Sequence, residues 1–188
     1  MDWLFAYGSL LPIGHAALPE GAVAADLPGW RRSWSVAMDN GVDLPDYKHY
    51  VAPDGHRPDL MVCYLDIDER PDAVVNGVAL EVGADELPAL DARERNYDRR
   101  DVTGQLSVPL GGRVWAYVGR RAGRARAQRG RRERRLAIAS SYLRRVQAGF
   151  DALCQRQRFD LLTEPAGVPV ADLSLVRHAP VAVPRSVR

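Results

Sequence analysis

The sequence predicts a mixed α/β fold of the α+β class, built as a single domain over residues 1–188. Strand-like apolar segments fill the first half of the chain, and helical periodicity is confined to two later segments. No repeat and no linker rich in Gly and Ser divides the 188 residues, a length typical of one domain. The order of the elements argues against a doubly wound sheet, in which strands and helices alternate regularly. We expect the core at about residues 3–150 and a surface tail at about 168–188.

Six segments are predicted to be β-strands because they are short and apolar or alternate with a period of two. They are residues 3–7, 30–38, 60–65, 74–82, 98–108 and 113–119. Gly77, inside the fourth of these strands, indicates a bulge or the close approach of another backbone. An acidic turn at 66–70 is expected to end the third strand, and Gly111-Gly112 to join the last two as a hairpin. Residues 11–29 are predicted to be a long connection, and residues 39–59 to be irregular.

Two helices are predicted from apolar residues that recur at three- and four-residue steps. A short helix covers residues 84–94 and a longer one covers 132–150. Ahead of the longer helix, residues 120–135 hold nine arginines, one glutamate and no aromatic residue. Such a stretch could bind phosphate backbones, but it lacks the aromatic side chains on which single-stranded bases stack, and no DNA-binding motif accompanies it. We therefore predict a mobile, solvated loop there and do not expect nucleic acid as a partner.

The composition, with 46% hydrophobic and 27% charged residues, is ordinary for a soluble globular protein. No apolar run approaches the roughly 18 residues of a membrane-spanning helix, and the first residues lack the basic region of a signal peptide. We expect a cytoplasmic protein without a membrane partner. Cys63 and Cys154 lie far apart and are expected to be separate, buried thiols. The four histidines have no ligand-like spacing, so no metal site is predicted.

The first segment that could do chemistry is Phe5-Ala6-Tyr7-Gly8-Ser9-Leu10, a strand that runs into a sharp loop. Gly8 lets the chain turn without a Cβ penalty, so that consecutive backbone N–H groups become exposed. Adjacent N–H groups form concavities that suit a carboxylate or a developing oxyanion. From the residues alone, a strand that simply ends in a tight turn is the commoner interpretation.

The second segment contains Glu94, at the end of the short predicted helix. Leu87, Leu90 and Glu94 fall close to one helical stripe, which puts Glu94 near the edge of the core. Partial desolvation and the negative end of the helix dipole both raise the pKa of such a carboxyl group, as a general base near neutral pH requires. The competing interpretation is a solvated carboxylate that pairs with one of three nearby arginines, Arg93, Arg95 and Arg99.

Together these two segments resemble the gamma-glutamylcyclotransferase-like (AIG2-like) family. Tyr7-Gly8-Ser9-Leu10 looks like the Y-G-S-[NL] signature of that family. Leu90-Asp91-x-x-Glu94, followed by Tyr97 and Val102, is similar to the family's L-D-x-x-E stretch, whose glutamate is catalytic. The order and spacing of the segments fit over roughly residues 3–150. The resemblance implies a small barrel-like sheet with flanking helices and a pocket between the two segments.

The resemblance also implies a reaction: a small-molecule gamma-glutamyl amide or peptide cyclises to 5-oxoproline and releases its amine. Glu94 would take a proton from the substrate's alpha-amino group and deliver it to the departing amine. The backbone N–H groups of Gly8, Ser9 and Leu10 would hold the glutamyl end or the oxyanion. Tyr7 would start this loop and Tyr142 would line the pocket. The substrate supplies the nucleophile, so no cofactor and no metal is implied.

Leu10 stands where the family often has Asn. This departure removes a side-chain amide and bears on the identity of the substrate.

Two other functions compete with this one. The same fold could serve as a non-catalytic module that binds an acidic small molecule or a nucleic acid through the pocket or through residues 120–135. The second alternative is a related acyl transfer in which water is the nucleophile. The presence of Glu94 favours the enzyme, since a site that only binds anions has no use for an acid.

Overall fold

The computed structural model describes residues 1–12, 18, 20–43 and 47–177. Nine strands and four helices form within these residues, so the predicted mixed fold is confirmed. The strands are β1 (Asp2–Ala6), β2 (Ala22–Asp39), β3 (Lys48–Val51), β4 (Met61–Val82), β5 (Tyr97–Asp101), β6 (Arg113–Gly119), β7 (Leu136–Ala139), β8 (Val170–Ala171) and β9 (Ser174–Arg177). The helices are α1 (Leu87–Arg93), α2 (Arg121–Arg132), α3 (Ser140–Ala152) and α4 (Arg156–Leu162). None of the helices described is long and apolar enough to cross a membrane.

Seven of these strands form one mixed sheet, in the order β5-β6-β1-β4-β7-β8, with β2 paired to β4. β1 lies in the middle, antiparallel to β4 and parallel to β6. Gly77 in β4 packs so closely on β1 that a Cβ there would lie 2.4 Å from the carbonyl oxygen of Ala6. This is the close backbone approach that a glycine within a strand suggested. β3 and β9 pair separately as an antiparallel ribbon.

The two longest strands, β2 and β4, pair with each other along almost their whole length. Strand β2 begins at Ala22, so the prediction of a connection over residues 11–29 is wrong for its second half. Residues 13–17 and 19 of that segment lie outside the described residues. The start of β2 forms a strand because it pairs with β4. Apolar residues alternate only weakly there, so the sequence pattern did not predict a strand.

The acidic turn predicted at 66–70 is also wrong, because β4 continues through it. Asp66 is fully buried and accepts hydrogen bonds from the backbone N–H groups of Ile67 and Gly119. Its second oxygen accepts one from Nε of Arg124, over 2.7 Å. An acidic residue that is satisfied by distant donors need not mark a turn.

The arginine-rich stretch is helix α2, so the prediction of a mobile, solvated loop is wrong. Six of its arginines donate to carboxylates or backbone carbonyls of this chain. They are Arg120, Arg124, Arg126, Arg129, Arg131 and Arg135. The helix buries only a narrow face of small residues, Gly123, Ala127 and Gly130, and these polar contacts stabilise the rest of its surface.

Other boundaries differ from the predictions by a few residues or by one element. The helix predicted over 132–150 begins at Ser140, because the four buried residues before it form β7, parallel to the start of β4. The predicted hairpin of β5 and β6 is confirmed, although β5 ends at Asp101 rather than at residue 108. Strand β3 lies within the segment 39–59 that was predicted to be irregular.

The predicted tail at 168–188 includes the short strands β8 and β9, and residues 178–188 lie outside the described residues. Both cysteines are free. Cys63 is buried as expected, whereas Cys154 is exposed, so that half of the prediction is wrong. Cys154 lies in the turn that follows α3 and has a positive φ of 52°.

Candidate active site

A cleft of about 390 Å³ opens between the end of α1, the first turn of α3 and the β3–β9 ribbon. A narrow recess of about 30 Å³ adjoins it beside the loop that follows β1. Four residues line both: Ser9, Glu94, Tyr97 and Tyr142. Tyr7, Gly8 and Leu10 line the recess. All six site residues that the sequence suggested therefore lie together, with Glu94 where the cleft meets the recess.

Glu94 is the residue at which α1 ends. Its backbone N–H donates to the carbonyl of Leu90, and its carbonyl accepts from the N–H of Tyr97, each over 2.9 Å. Its side chain is 17% exposed, and Oε1 lies 3.1 Å from Nε of Arg93. Glu94 therefore forms an ion pair with Arg93, one of the three arginines that the competing interpretation named. Because the Arg93 side chain is 46% exposed, this pair contributes little to stability and can open when a ligand enters.

Hydrogen bonds of Tyr7 to neighbouring strands fix the start of the loop after β1. Its hydroxyl donates to the carbonyl of Tyr117 in β6, and its own carbonyl accepts from Nη1 of Arg32 over 3.3 Å. Burial, and then the negative charge of Asp66, hold the pKa of the Tyr7 phenol well above its usual value. The phenol is therefore a neutral hydrogen-bond donor, and it anchors the loop to the central strands.

The rest of the loop is held by its carbonyl groups. The Gly8 carbonyl accepts from the N–H of Leu11 over 3.0 Å, and the Ser9 carbonyl accepts from Nε of Arg145 over 2.8 Å. Among hydrogen bonds between described residues, none uses the N–H groups of Gly8, Ser9 or Leu10. Gly8, Ser9 and Leu10 themselves line the recess together with Glu94. Adjacent backbone N–H groups in such a loop suit an anionic group or an oxyanion.

Tyr142 reaches the site from the first turn of α3. Its ring packs edge-on against Tyr64, with centroids 4.9 Å apart, and its hydroxyl accepts from the N–H of Leu65 over 3.3 Å. A Cβ placed on Gly8 would lie 3.8 Å from that hydroxyl, so Tyr142 stands directly beside the loop. Burial raises the pKa of Tyr142, so its hydroxyl stays protonated beside Ser9 of the loop.

Sequence reasoning missed the wall of the cleft opposite the loop, which β3, β9 and α3 supply. Lys48 in β3 places its ammonium 4.6 Å from the centre of the Tyr64 ring and 5.5 Å from that of Tyr47. Burial lowers the pKa of Lys48 to about 8, although the negative charge of Glu94 acts in the opposite direction. Lys48 is the single lysine among 26 basic residues, and this was the one signal in the sequence that could have drawn attention to it.

Metal-ligating side chains do not cluster in the described part of the protein. Within residues 1–12, 18, 20–43 and 47–177, no three His, Cys, Asp or Glu side chains are grouped so that they could hold an ion. His15 and His178, two of the four histidines considered above, lie outside those ranges. The cleft places one carboxylate, Glu94, beside the loop after β1, an arrangement that suits proton transfer.

Comparisons with known proteins identify the family and the fold of this chain. Residues 4–135 match the model of the family described as gamma-glutamyl cyclotransferase, AIG2-like. A solved structure of a gamma-glutamyl cyclotransferase is 14% identical, with a TM-score of 0.50, and the match covers 88% of this chain and 89% of that one. An uncharacterised protein from Homo sapiens is 16% identical, with a TM-score of 0.49 and the same coverage. No significant match is found among curated proteins. Since the family model spans more than half of its residues, this chain belongs to the gamma-glutamyl cyclotransferase, AIG2-like family.

Proposed function

We propose that this protein is a gamma-glutamyl cyclotransferase, which converts a gamma-glutamyl amide or peptide into 5-oxoproline and a free amine. The observation that carries the proposal is the position of Glu94. It is the only carboxylate among the described residues that line the cleft and the recess. It lies beside the loop after β1, where the N–H groups of Gly8, Ser9 and Leu10 make no hydrogen bond to another described residue. A proton acceptor beside a set of backbone donors is what an intramolecular attack on an amide needs.

In the proposed reaction, the substrate's alpha-amino group reacts in its neutral form, and Glu94 removes one proton from that nitrogen as it attacks. The nitrogen lone pair attacks the gamma-carbonyl carbon and forms a five-membered ring. The carbonyl oxygen becomes an oxyanion, which accepts hydrogen bonds from N–H groups among Gly8, Ser9 and Leu10. When the oxyanion collapses, the bond to the leaving nitrogen breaks, and Glu94 returns the proton to that nitrogen. Because nucleophile and carbonyl belong to one molecule, positioning supplies much of the rate.

The alternative of a nucleic-acid-binding module finds less support. Six arginines of the 120–135 stretch donate to acceptors of this chain, so they are not free to contact phosphates without losing those bonds. The alternative in which water attacks the amide differs from the proposal in its product, glutamate instead of 5-oxoproline.

The test is to incubate the protein with a panel of gamma-glutamyl amides in ¹⁸O-labelled water and to identify the products by mass spectrometry. We expect 5-oxoproline without ¹⁸O, because the ring nitrogen and not water attacks the carbonyl. Substrates with an acetylated alpha-amino group should be inert, since their nucleophile is blocked. Formation of ¹⁸O-labelled glutamate, or equal turnover of the acetylated substrates, would contradict the proposal.

A further inference from the structure

The larger part of the cleft carries an excess of positive charge. The described residues that line it include four cationic side chains but only one carboxylate, that of Glu94. The cations are Lys48, Arg93, Arg145 and Arg177. Burial lowers the pKa of Arg145, and the nearby charges of Arg93 and Arg177 lower it further. The same two arginines oppose protonation of Lys48. These cations are therefore close enough to repel one another.

The backbone pairing makes this repulsion specific. In the β3–β9 ribbon, Lys48 lies directly opposite Arg177. Like charges at opposite positions of an antiparallel pair are destabilising, and an acidic residue at either position would favour the ribbon. Residues that oppose the stability of their own fold often serve a function, because a ligand then supplies what the fold lacks.

Three of the four cations have no carboxylate partner in the described parts of the chain. Arg93 pairs with Glu94, but no described Asp or Glu lies within 4.0 Å of Lys48, Arg145 or Arg177. The contrast with α2 is informative, because arginines there pair with acids such as Asp66 and Asp39. We refer to Lys48, Arg145 and Arg177 as the cationic wall.

A buried hydroxyl lies beside the cationic wall. Tyr64 is 2% exposed, lines the cleft, and makes no hydrogen bond to any described residue. After burial, the neighbouring Tyr50 contributes most to raising the pKa of the Tyr64 phenol, so these two hydroxyls lie near each other. A donor left without a partner in a cleft is satisfied when a ligand oxygen binds there.

We infer that the cationic wall binds an anionic group carried by the leaving amine of the substrate. This inference rests on the proposed function, because that function sets the direction of the substrate. The scissile amide must lie at Glu94, and the glutamyl end must lie toward the loop donors in the recess. The leaving amine then extends into the cleft, where the cationic wall and the Tyr64 hydroxyl can bind an anionic group. Carboxylates, sulfonates and phosphates share this chemistry.

The experiment compares two substrates of nearly the same size and shape, gamma-glutamylglycine and gamma-glutamylglycinamide, whose leaving amines carry a carboxylate and a neutral amide. For the wild type we expect kcat/KM at least about ten-fold higher with the carboxylate, since hydrogen bonds to charged groups contribute more than neutral ones. Lys48→Gln and Arg177→Gln should reduce this ratio toward one, because turnover of the carboxylate substrate falls more than turnover of the amide. Arg144→Gln is the matched control, because Arg144 is exposed next to Arg145 and does not line the cleft.

Two results would overturn the inference while the proposed function stands. One is equal turnover of the two substrates by the wild type. The other is an equal loss of both rates in the variants, which would mean that the cationic wall holds the glutamyl carboxylate. Gamma-glutamyltaurine and gamma-glutamyl-phosphoethanolamine, with gamma-glutamylethanolamine as the neutral reference, then identify which kind of anion is preferred.

A second readout decides the case in which neither substrate is turned over and the proposed function fails. Lys48 is the only lysine in the chain, so acylation by an amine-directed reagent reports on one side chain besides the N-terminus. Gamma-glutamylglycine should slow the acylation of Lys48 more than gamma-glutamylglycinamide does, as read by peptide mass spectrometry. Equal rates of acylation with the two compounds would contradict an anion site at the cationic wall.

Discussion

At the scale of single residues, the candidate site combines one carboxylate with cations of different chemistry. An arginine stays protonated at any physiological pH, whereas a lysine in a desolvated position does not. The pKa of Lys48 is lowered to about 8 by burial, partly offset by Glu94. The Lys48 ammonium is therefore present at neutral pH and lost as the pH rises through about 8. The charge of the cationic wall thus depends on pH through this one residue.

The first prediction concerns the preference for gamma-glutamylglycine over gamma-glutamylglycinamide. The ratio of the two kcat/KM values should be highest below pH 8 and should fall as Lys48 loses its proton above it. Titration of the glutamyl amino group affects both substrates alike and cancels in the ratio. In Lys48→Arg the ratio should stay constant up to pH 9.5. A wild-type ratio that does not change between pH 6.5 and 9.5 would exclude Lys48 from recognition of the carboxylate.

At the scale of elements, buried polar contacts join strands and helices that the hydrophobic pattern does not connect. Asp66 shows this best, because its two oxygens tie β4 to β6 through Gly119 and to α2 through Arg124. The Asp66 side chain is 0% exposed and that of Arg124 is 36% exposed. Breaking a buried pair by changing one partner leaves the other without compensation.

The second prediction is that Asp66→Asn lowers the free energy of unfolding by about 2–4 kcal/mol, because an amide nitrogen would face N–H donors that now meet oxygen. Urea denaturation followed by circular dichroism measures this. Asp68→Asn is the matched control on the same strand. Its pair with Arg31 is partly exposed, so we expect a loss within about 1 kcal/mol. Equal losses in the two variants would show that Asp66 does not join these elements.

The elements also show which parts of the structure the sequence could predict. The loop after β1 and the end of α1 could be singled out because each is a local motif within ten residues, and the family resemblance then favoured a site over a plain turn and a paired carboxylate. Pairing between distant segments was not predicted: Lys48 meets Arg177 through a ribbon whose two strands are far apart in sequence. Helix α2 escaped prediction for a related reason, because its arginines find their acceptors on remote strands and leave no apolar period to read.

At the scale of the whole molecule, one buried arginine connects the sheet, the C-terminal helices and the loop of the candidate site. Arg32 in β2 is fully buried, with its guanidinium 5.0 Å from the centre of the Phe150 ring and 4.5 Å from that of Phe159. It donates to Asn76 in β4, to the Thr163 hydroxyl and to the carbonyl of Tyr7. Burial lowers the pKa of Arg32 to about 9.

The third prediction is that Arg32→Met destabilises the protein by about 2–4 kcal/mol, since several buried acceptors would lose their donor. Chemical denaturation measures the loss. The neighbouring Arg31 serves as the control, because it is half-exposed and pairs with the surface acids Asp68 and Glu164. Arg31→Met should cost no more than about 1 kcal/mol. If Arg32→Met unfolds at the same denaturant concentration as the wild type, Arg32 does not hold these parts together.

The central claim, that Glu94 transfers the proton in a cyclisation reaction, is tested most directly by the rate of 5-oxoproline release in Glu94→Gln. The change keeps the size of the side chain and removes its basicity, so we expect kcat to fall by roughly 10²–10⁴-fold. Glu69→Gln, on the exposed part of β4, should match the wild type. Circular dichroism establishes that both variants are folded. A collapse of turnover in Glu94→Gln alone supports the account, and turnover within a few-fold of the wild type would contradict it.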